Sequence, residues 1–224
     1  LFYGEDGGVV PSLCKLMASA DNSLTTVKLG SNGGWAVDAL LEGLSSPSCS
    51  LRELDVGGCA GAQKLLEAAH VPLTWLDLSS TEVDVEKLVA SPLFEKLTSL
   101  RMSNVGLVEA GVHALCAGLP RASALEHLDL SCNGLNDERA LRVASACGGG
   151  VRLNLSFNGI STSAREQLPP NADPGPEIKW ASNPEDKHEW VRLSEDQLEA
   201  SYFDPMDYQY QRNGIVRATV GFES

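Results

Sequence analysis

One eleven-residue stretch constrains this chain more than any other feature. Residues 125–135 read LEHLDLSCNGL, which has the form L-x-x-L-x-L-x-x-N-x-L. On a short strand, successive side chains point to opposite faces, so Leu128 and Leu130 would face inward while His127 and Asp129 face outward. One such unit cannot bury its own apolar face. The stretch therefore predicts neighbouring units stacked against it.

The same pattern recurs along the chain. Units begin at leucines 24, 51, 73, 97 and 125, so the intervals are 27, 22, 24 and 28 residues. Leu153 and Leu155 indicate a sixth strand. The amide of the pattern's asparagine can pair with backbone groups of the turn that leaves the strand. That position is filled in order by Asn32, Cys59, Thr81, Val105, Asn133 and Asn158.

A second period lies between the strands. Apolar residues at i, i+3, i+4 and i+7 predict one buried face of a helix. They occur at 10–17, 37–44, 62–69, 112–119 and 140–147, and Val85 begins a shorter run that Pro92 ends. Periods of 2 and 3.6 residues therefore alternate in fixed phase along residues 1–160.

Over residues 1–160 the chain resembles the ribonuclease-inhibitor-like class of leucine-rich repeats. The resemblance rests on six strand–helix units that agree with the repeat pattern. It implies an α/β fold: a curved solenoid with a parallel sheet on the concave side and helices on the convex side. It also implies a protein-binding role. Because Leu1 falls in mid-repeat, we expect either upstream residues or a partner that covers this end of the solenoid.

Residues 161–224 predict a different kind of segment. Prolines between 169 and 184 indicate an extended strap, and a polar run from Pro184 to about 201 is compatible with a short helix. Asn213-Gly214 lies between two alternating runs, which predicts a β-hairpin. An aromatic cluster near the end of this tail should bury against the solenoid or against a partner protein; it consists of Tyr202, Phe203, Tyr208, Tyr210 and Phe222.

The composition excludes several classes of protein. A formal net charge of −13 disfavours a general nucleic-acid binder. No apolar run approaches the roughly 18 residues that a membrane span needs. The six cysteines form no C-x-x-C pair and predict free thiols in an intracellular reducing compartment. We expect the cytoplasm, and organelle import stays open because the N-terminus reads as incomplete.

The sequence contains no recognisable catalytic, metal-binding or cofactor-binding motif. The predicted outward rows of the concave face are its informative surface. An exposed tryptophan on a rigid sheet is typical of a docking site, whereas the alternative is a solvated face held by internal salt bridges. The candidate protein-binding residues of this face are Glu53, Asp55, Trp75, Asp77, Arg101, His127, Asp129 and Arg152. Among them, Arg101 can pair across strands with Asp77 and Asp129. Glu53, Asp55 and Asp77 are expected to form an acidic cluster beside Trp75.

Three functions follow from these expectations. The favoured one is a non-catalytic protein-interaction scaffold that forms a subunit of a larger assembly, with one or more proteins as partners and no cofactor. The alternative is a regulator of a small GTPase, by resemblance to Ran GTPase-activating proteins, which use the same repeat class. A third is an actin-end capper of the tropomodulin kind, again by repeat class alone.

Overall fold

The computed structural model describes residues 9–19, 21, 23–30, 34–67, 73–176, 191–193 and 200–202 of the chain. The chain divides into two compact units, Leu1–Gly175 and Pro176–Ser224. The first unit is the predicted solenoid. Predictions for residues 1–8, for Asn32 and for the hairpin around Asn213-Gly214 lie outside the described residues.

The first unit contains one parallel sheet in which each strand pairs with the next in sequence. Its central positions are in register, so the leucines of five successive strands meet in one buried column: Leu54, Leu76, Leu100, Leu128 and Leu153. The predicted strand phase is therefore confirmed. The strands are β1 (Thr26–Lys28), β2 (Glu53–Asp55), β3 (Trp75–Asp77), β4 (Ser99–Arg101), β5 (His127–Asp129), β6 (Arg152–Asn154) and β7 (Ala172–Asp173).

Helices occupy the intervals between the strands and pack against their neighbours in sequence. The α-helices are α1 (Val9–Ala18), α2 (Gly34–Leu44), α3 (Val85–Ala90), α4 (Glu109–Gly118), α5 (Asp137–Cys147) and α6 (Thr162–Arg165). Helix α3 stops before Pro92, as the sequence predicts. Helices α3 and α4 approach closely at Gly118, where an added Cβ would lie 2.6 Å from the Cβ of Val89.

Short 3₁₀ turns replace or extend helices where the interval is tight. They are Ala62–Glu67, Phe94–Lys96 and Leu119–Arg121. The prediction of an α-helix over 62–69 is therefore wrong in type. The interval from Leu51 to Leu73 is the shortest in the chain, and a 3₁₀ turn reaches farther per residue than an α-helix. Ala62 and Leu65 still face the core.

Two asparagines connect the turns of neighbouring units, and we call these two residues the asparagine ladder. Asn133 Oδ1 accepts from the amides of Val105 (3.0 Å) and Leu107 (3.3 Å), which belong to the preceding unit. Its Nδ2 donates to the carbonyl oxygens of Met102 and Leu130, 2.7 and 3.1 Å away. Each ladder asparagine therefore supports the turn of the unit before it as well as its own.

Asn158 repeats this arrangement one unit later. Its Oδ1 accepts from the amides of Asn133 (2.9 Å) and Leu135 (3.0 Å). Its Nδ2 donates to Leu130 and Leu155, at 3.0 and 2.9 Å. The prediction that this position satisfies turn backbone is confirmed, and the bonds also cross between units.

The residue before the asparagine position is left-handed in five successive turns. It is glycine only in the first of them, and it is otherwise a residue that has a Cβ and adopts φ between 55° and 58°. Such a conformation costs an L-residue about 1–2 kcal/mol, which the hydrogen bonds of the turn must offset. The five residues are Gly58, Ser80, Asn104, Cys132 and Phe157.

The sheet extends beyond the boundary that the sequence predicts. The repeat pattern predicts that the solenoid ends at Ile160, whereas α6 and β7 continue it beyond that residue. The amides of Leu153 and Leu155 donate to Asn171 (2.8 Å) and Asp173 (2.7 Å), so β6 has a neighbour after all. The strand escapes the leucine pattern because its inward residue is Ala172, which is buried where the other strands from β2 to β6 have a leucine.

The second unit contains a pair of antiparallel strands, β8 (Val191–Leu193) and β9 (Ala200–Tyr202). The sequence predicts a helical run from Pro184 to about 201, and the structure has strands at these six residues instead. Val191 pairs with Tyr202 and Leu193 with Ala200. β-branched and aromatic residues favour such pairing over a helix.

All six cysteines are free thiols. Cys14 and Cys59 are buried, Cys132 is exposed, and the others are half-buried. Burial raises the pKa of the Cys14 and Cys116 thiols. Burial, with a smaller contribution from Cys116, raises the pKa of Cys147 to about 12.

Among the described residues, none of the helices has the length and apolar character that a membrane span requires.

Replacing Asn133 by alanine should destabilise the solenoid by about 2–5 kcal/mol, because it leaves buried turn amides without an acceptor. The matched control is Asn136→Ala, which removes an N-cap bond to the Arg139 amide (3.1 Å) on the exposed start of α5. That change should cost about 1 kcal/mol. Urea unfolding measures both. Equal losses would show that the asparagine ladder has no special structural role.

Alkylation with iodoacetamide at pH 8, followed by peptide mass spectrometry, should divide the cysteines by environment. Exposed Cys132 should react first. Cys147 should be slow, since a pKa of about 12 leaves only about one thiol in ten thousand ionised at pH 8. In urea all should react alike. Rapid native labelling of Cys14, Cys116 and Cys147 together would show that the helix phase is wrong.

Candidate protein-binding face

The outward residues of the sheet form two parallel rows across the concave face. The strand pairing aligns their backbones residue by residue, as the sequence predicts. The first row consists of Thr26, Glu53, Trp75, Ser99, His127 and Arg152. The second row consists of Lys28, Asp55, Asp77, Arg101, Asp129, Asn154 and Asp173.

The second row is largely committed to the turns. In five of its seven residues, a side-chain oxygen accepts from the backbone amide two residues further along the chain, at 2.8 to 3.0 Å. This Asx arrangement closes the turn where the strand ends. Sequence reasoning missed this role, although the recurrence of Asp or Asn one residue before the turn could have indicated it. The acceptors are Asp55, Asp77, Asp129, Asn154 and Asp173.

Arg101 is the cation among these acceptors. Its guanidinium lies 3.3 Å from Asp77 Oδ2 and 3.6 Å from Asp129 Oδ2, so it bridges the strands on either side. The prediction that these three residues pair is confirmed. Arginine cannot accept a bond from the following turn, and the amide of Ser103 donates to Ser79 Oγ at 3.2 Å instead.

The predicted acidic cluster beside Trp75 needs a correction. Asp77 is only 6% exposed, and its carboxylate is occupied by Arg101 and by the Ser79 amide. Asp55 is half-buried and accepts from Gly57. Glu53 is exposed and accepts from the Thr26 hydroxyl at 3.1 Å. The open negative charge next to the tryptophan is therefore mainly that of Glu53.

A groove of about 790 Å³ lies over the central and C-terminal strands of this face. It includes five of the eight residues predicted for this face, and it leaves out Glu53, Asp55 and buried Asp77. Its lining residues are Trp75, Thr98, Ser99, Leu100, Arg101, His127, Leu128, Asp129, Arg152, Leu153, Asn154, Pro170, Asn171 and Asp173.

Three lining residues come from the segment that the sequence pattern did not place in the sheet. Pro170, Asn171 and Asp173 close the C-terminal end of the groove. Asn171 is fixed there, because its Nδ2 donates to the carbonyl oxygens of Gly148 (2.8 Å) and Val151 (2.6 Å). The sequence carries no repeat signal for this wall, since β7 has only two residues.

The first row supplies the less committed side chains. Trp75 and His127 are half-buried and Arg152 is exposed. None of the three forms a salt bridge with any residue in the described ranges. Ser99, between Trp75 and His127, is short, so the row has a notch with an aromatic wall on one side.

The predicted tail residues cannot be placed on this face. Tyr202 lies in β9, in the second unit, and its side chain is not described. Phe203, Tyr208, Tyr210 and Phe222 lie outside the described residues. Within the described residues, no three histidine, cysteine, aspartate or glutamate side chains lie close enough to hold a metal ion.

The fold and the face together define a leucine-rich-repeat protein. A family model described as Leucine Rich repeat matches residues 123–138, which include the stretch from which the repeat was first read. The repeats are similar to those of the ribonuclease inhibitors, two of which are among the relatives of this chain.

The ribonuclease inhibitor of Mus musculus is 32% identical over 148 residues, which cover 60% of this chain and 32% of that protein. The inhibitor of Sus scrofa is 29% identical over 140 residues, covering 55% and 31%. Human NACHT, LRR and PYD domains-containing protein 5 is 30% identical over 188 residues, covering 73% and 15%. The chain thus spans about a third or less of the length of these relatives.

Among solved structures, the crystal structure of the TLR13–ssRNA13 complex matches with a TM-score of 0.35 and 17% identity. The match covers 66% of this chain and 28% of that one.

Proposed function

We propose that this chain is a non-catalytic protein-interaction module that binds a partner protein in the groove between Trp75 and Arg152. The observation that carries the proposal is the combination of an uncommitted tryptophan and arginine on a rigid sheet. Trp and Arg are the residue types most enriched among binding hot spots. Strand pairing holds their backbones, so little ordering is needed on binding.

The relatives are consistent with this role. Two of them are named as inhibitors of ribonuclease, which is itself a protein. The groove, at about 790 Å³, also leaves room for one segment of a folded or extended partner. The charged residues of the second row, by contrast, serve the fold, which supports assigning binding to the first row.

The finer proposal is that the chain is a subunit of a larger intracellular assembly, with the tail as a second contact. The tail is rich in aromatic residues and has too few apolar residues for a core of its own. Aromatic side chains that bury on a partner contribute strongly to binding. The free thiols and the lack of a cysteine framework support a reducing compartment.

Affinity purification from cell extract with quantitative mass spectrometry tests the groove. Trp75→Ala and Arg152→Glu should each lose partners that the unmodified chain retains. The matched control for charge is Lys87→Glu on α3, where the side chain is 63% exposed and makes the same charge change. His113→Ala on α4 is the second control. If all four variants retain the same partners with unchanged melting temperatures, the groove is not the binding site.

Truncation after residue 176 tests the tail. This cut keeps β7 and the whole first unit, so the free energy of unfolding of that unit should change by less than about 0.5 kcal/mol if the tail acts through partners. Partners that contact the tail should be lost in the same purification. Unchanged stability together with an unchanged set of partners would contradict a role for the tail in assembly.

A further inference from the structure

We infer that the groove accepts an extended segment of a partner protein that carries an apolar side chain and a carboxylate side chain two residues apart. The inference rests on the proposed function and adds the chemistry of the partner. It follows from the order of charges in the first row, from the state of the carboxylates in the second row, and from the spacing between the notch and the arginine.

The first row runs from negative to positive. Glu53 precedes Trp75, and Arg152 ends the row beyond His127. A carboxylate on a partner is therefore repelled at one end and attracted at the other. Complementary charge of this kind orients a ligand and selects against the reverse placement. The carboxylate belongs at the Arg152 end.

The two carboxylates that line the groove, Asp129 and Asp173, are both hydrogen-bonded within the fold. Asp129 Oδ1 accepts from the amide of Ser131 (3.0 Å) and from its hydroxyl (2.7 Å), and also from Asn154 Nδ2 (3.1 Å). Its Oδ2 faces Arg101. Asp173 Oδ1 accepts from the Gly175 amide at 2.8 Å. These groups serve the turns, whereas Arg152 has no acidic partner in the described part of the chain.

The notch over Ser99 is the place for the apolar side chain. Trp75 forms its wall, and an aromatic or aliphatic group can pack against the indole ring there. The indole N–H has no acceptor among the residues that the structure describes, so it can donate to a backbone carbonyl of the bound segment.

The spacing sets the sequence of the ligand. Neighbouring strands are about 4.8 Å apart. The distance from Ser99, which lies under the notch, to a point halfway between His127 and Arg152 is one and a half strand spacings, or about 7 Å. Residues i and i+2 of an extended chain point to the same side and are also about 7 Å apart. An extended segment therefore fills the notch and reaches Arg152 with two side chains on one face. A guanidinium binds a carboxylate through two parallel hydrogen bonds, which favours aspartate or glutamate there.

Selection from a library of random 12-residue peptides displayed on phage tests this inference with the whole chain. Enriched peptides should carry an apolar residue and an Asp or Glu two positions away, in either chain direction. In fluorescence anisotropy, changing that acidic residue to its amide should raise Kd about fivefold or more. Raising the salt concentration should weaken binding of the acidic peptide more than of its amide.

Two variants assign the two subsites separately. Arg152→Glu should shift the selected charge from acidic to basic while keeping the apolar residue, which a merely damaged fold would not do. Ser99→Leu fills the notch and should remove the apolar preference while keeping the acidic one. Lys87→Glu carries the same charge change as Arg152→Glu outside the groove and should select the same peptides as the unmodified chain.

The inference is overturned if no peptides are enriched, if they lack an acidic residue, or if Arg152→Glu selects unchanged peptides. Acidic residues three or four positions from the apolar one would indicate a helical ligand and would also overturn it. A partner that is lost on Trp75→Ala but binds through none of these features would leave the proposed function intact and refute only this inference.

Discussion

The structure depends on satisfying the backbone of each turn that leaves the sheet. Every unit must reverse from a strand to a helix within a few residues, and its amides there are too buried to reach water. Asn133 and Asn158 meet this need across unit boundaries, each accepting from amides of the unit before it. Neighbouring units are therefore joined by directional bonds as well as by the leucine column. This makes the stacking specific in register, which apolar contact alone would not ensure.

The register explains how much the sequence could predict. Period-2 alternation fixes which residues of a strand share a face, so both rows of the concave face follow from the positions of the leucines. The Arg101 ion pairs follow in turn from the rows. The features that escaped prediction have no periodic signal that sets them apart. Strand β7 contains two residues and buries an alanine, and the 3₁₀ turn at Ala62–Glu67 has the same apolar spacing as an α-helix.

The state of the acidic residues also required the structure. The sequence places Glu53, Asp55 and Asp77 together and so predicts an acidic cluster. Whether a carboxylate faces a ligand or closes a turn depends on local backbone geometry that the pattern does not contain. The hydrogen bonds show that Asp77 closes a turn and pairs with Arg101. The charge pattern alone therefore overstates the open negative charge beside Trp75.

The fourth unit shows how structure and binding share one surface. Its strand ends in Arg101, where β2, β3, β5 and β6 end in an acidic or amide acceptor, and Val105 stands where the next two units have asparagine. The turn amides of Ser103 and Val105 therefore need acceptors from outside the unit. Its neighbours supply them: Ser79 accepts from the Ser103 amide, and Asn133 accepts from the amide of Val105.

This dependence has a consequence for the face. Because adjacent units satisfy the turn of the fourth unit, position 101 is released from that task and can hold a cation at the floor of the groove. Arg101 then pairs with Asp77 and Asp129 and so reduces the repulsion that these two carboxylates would exert on an acidic ligand. Arg152 is left unpaired within the described residues, at the far end of the row from Glu53. The charge order that selects the ligand in our proposal therefore depends on hydrogen bonds between units, and the same bonds hold the solenoid together.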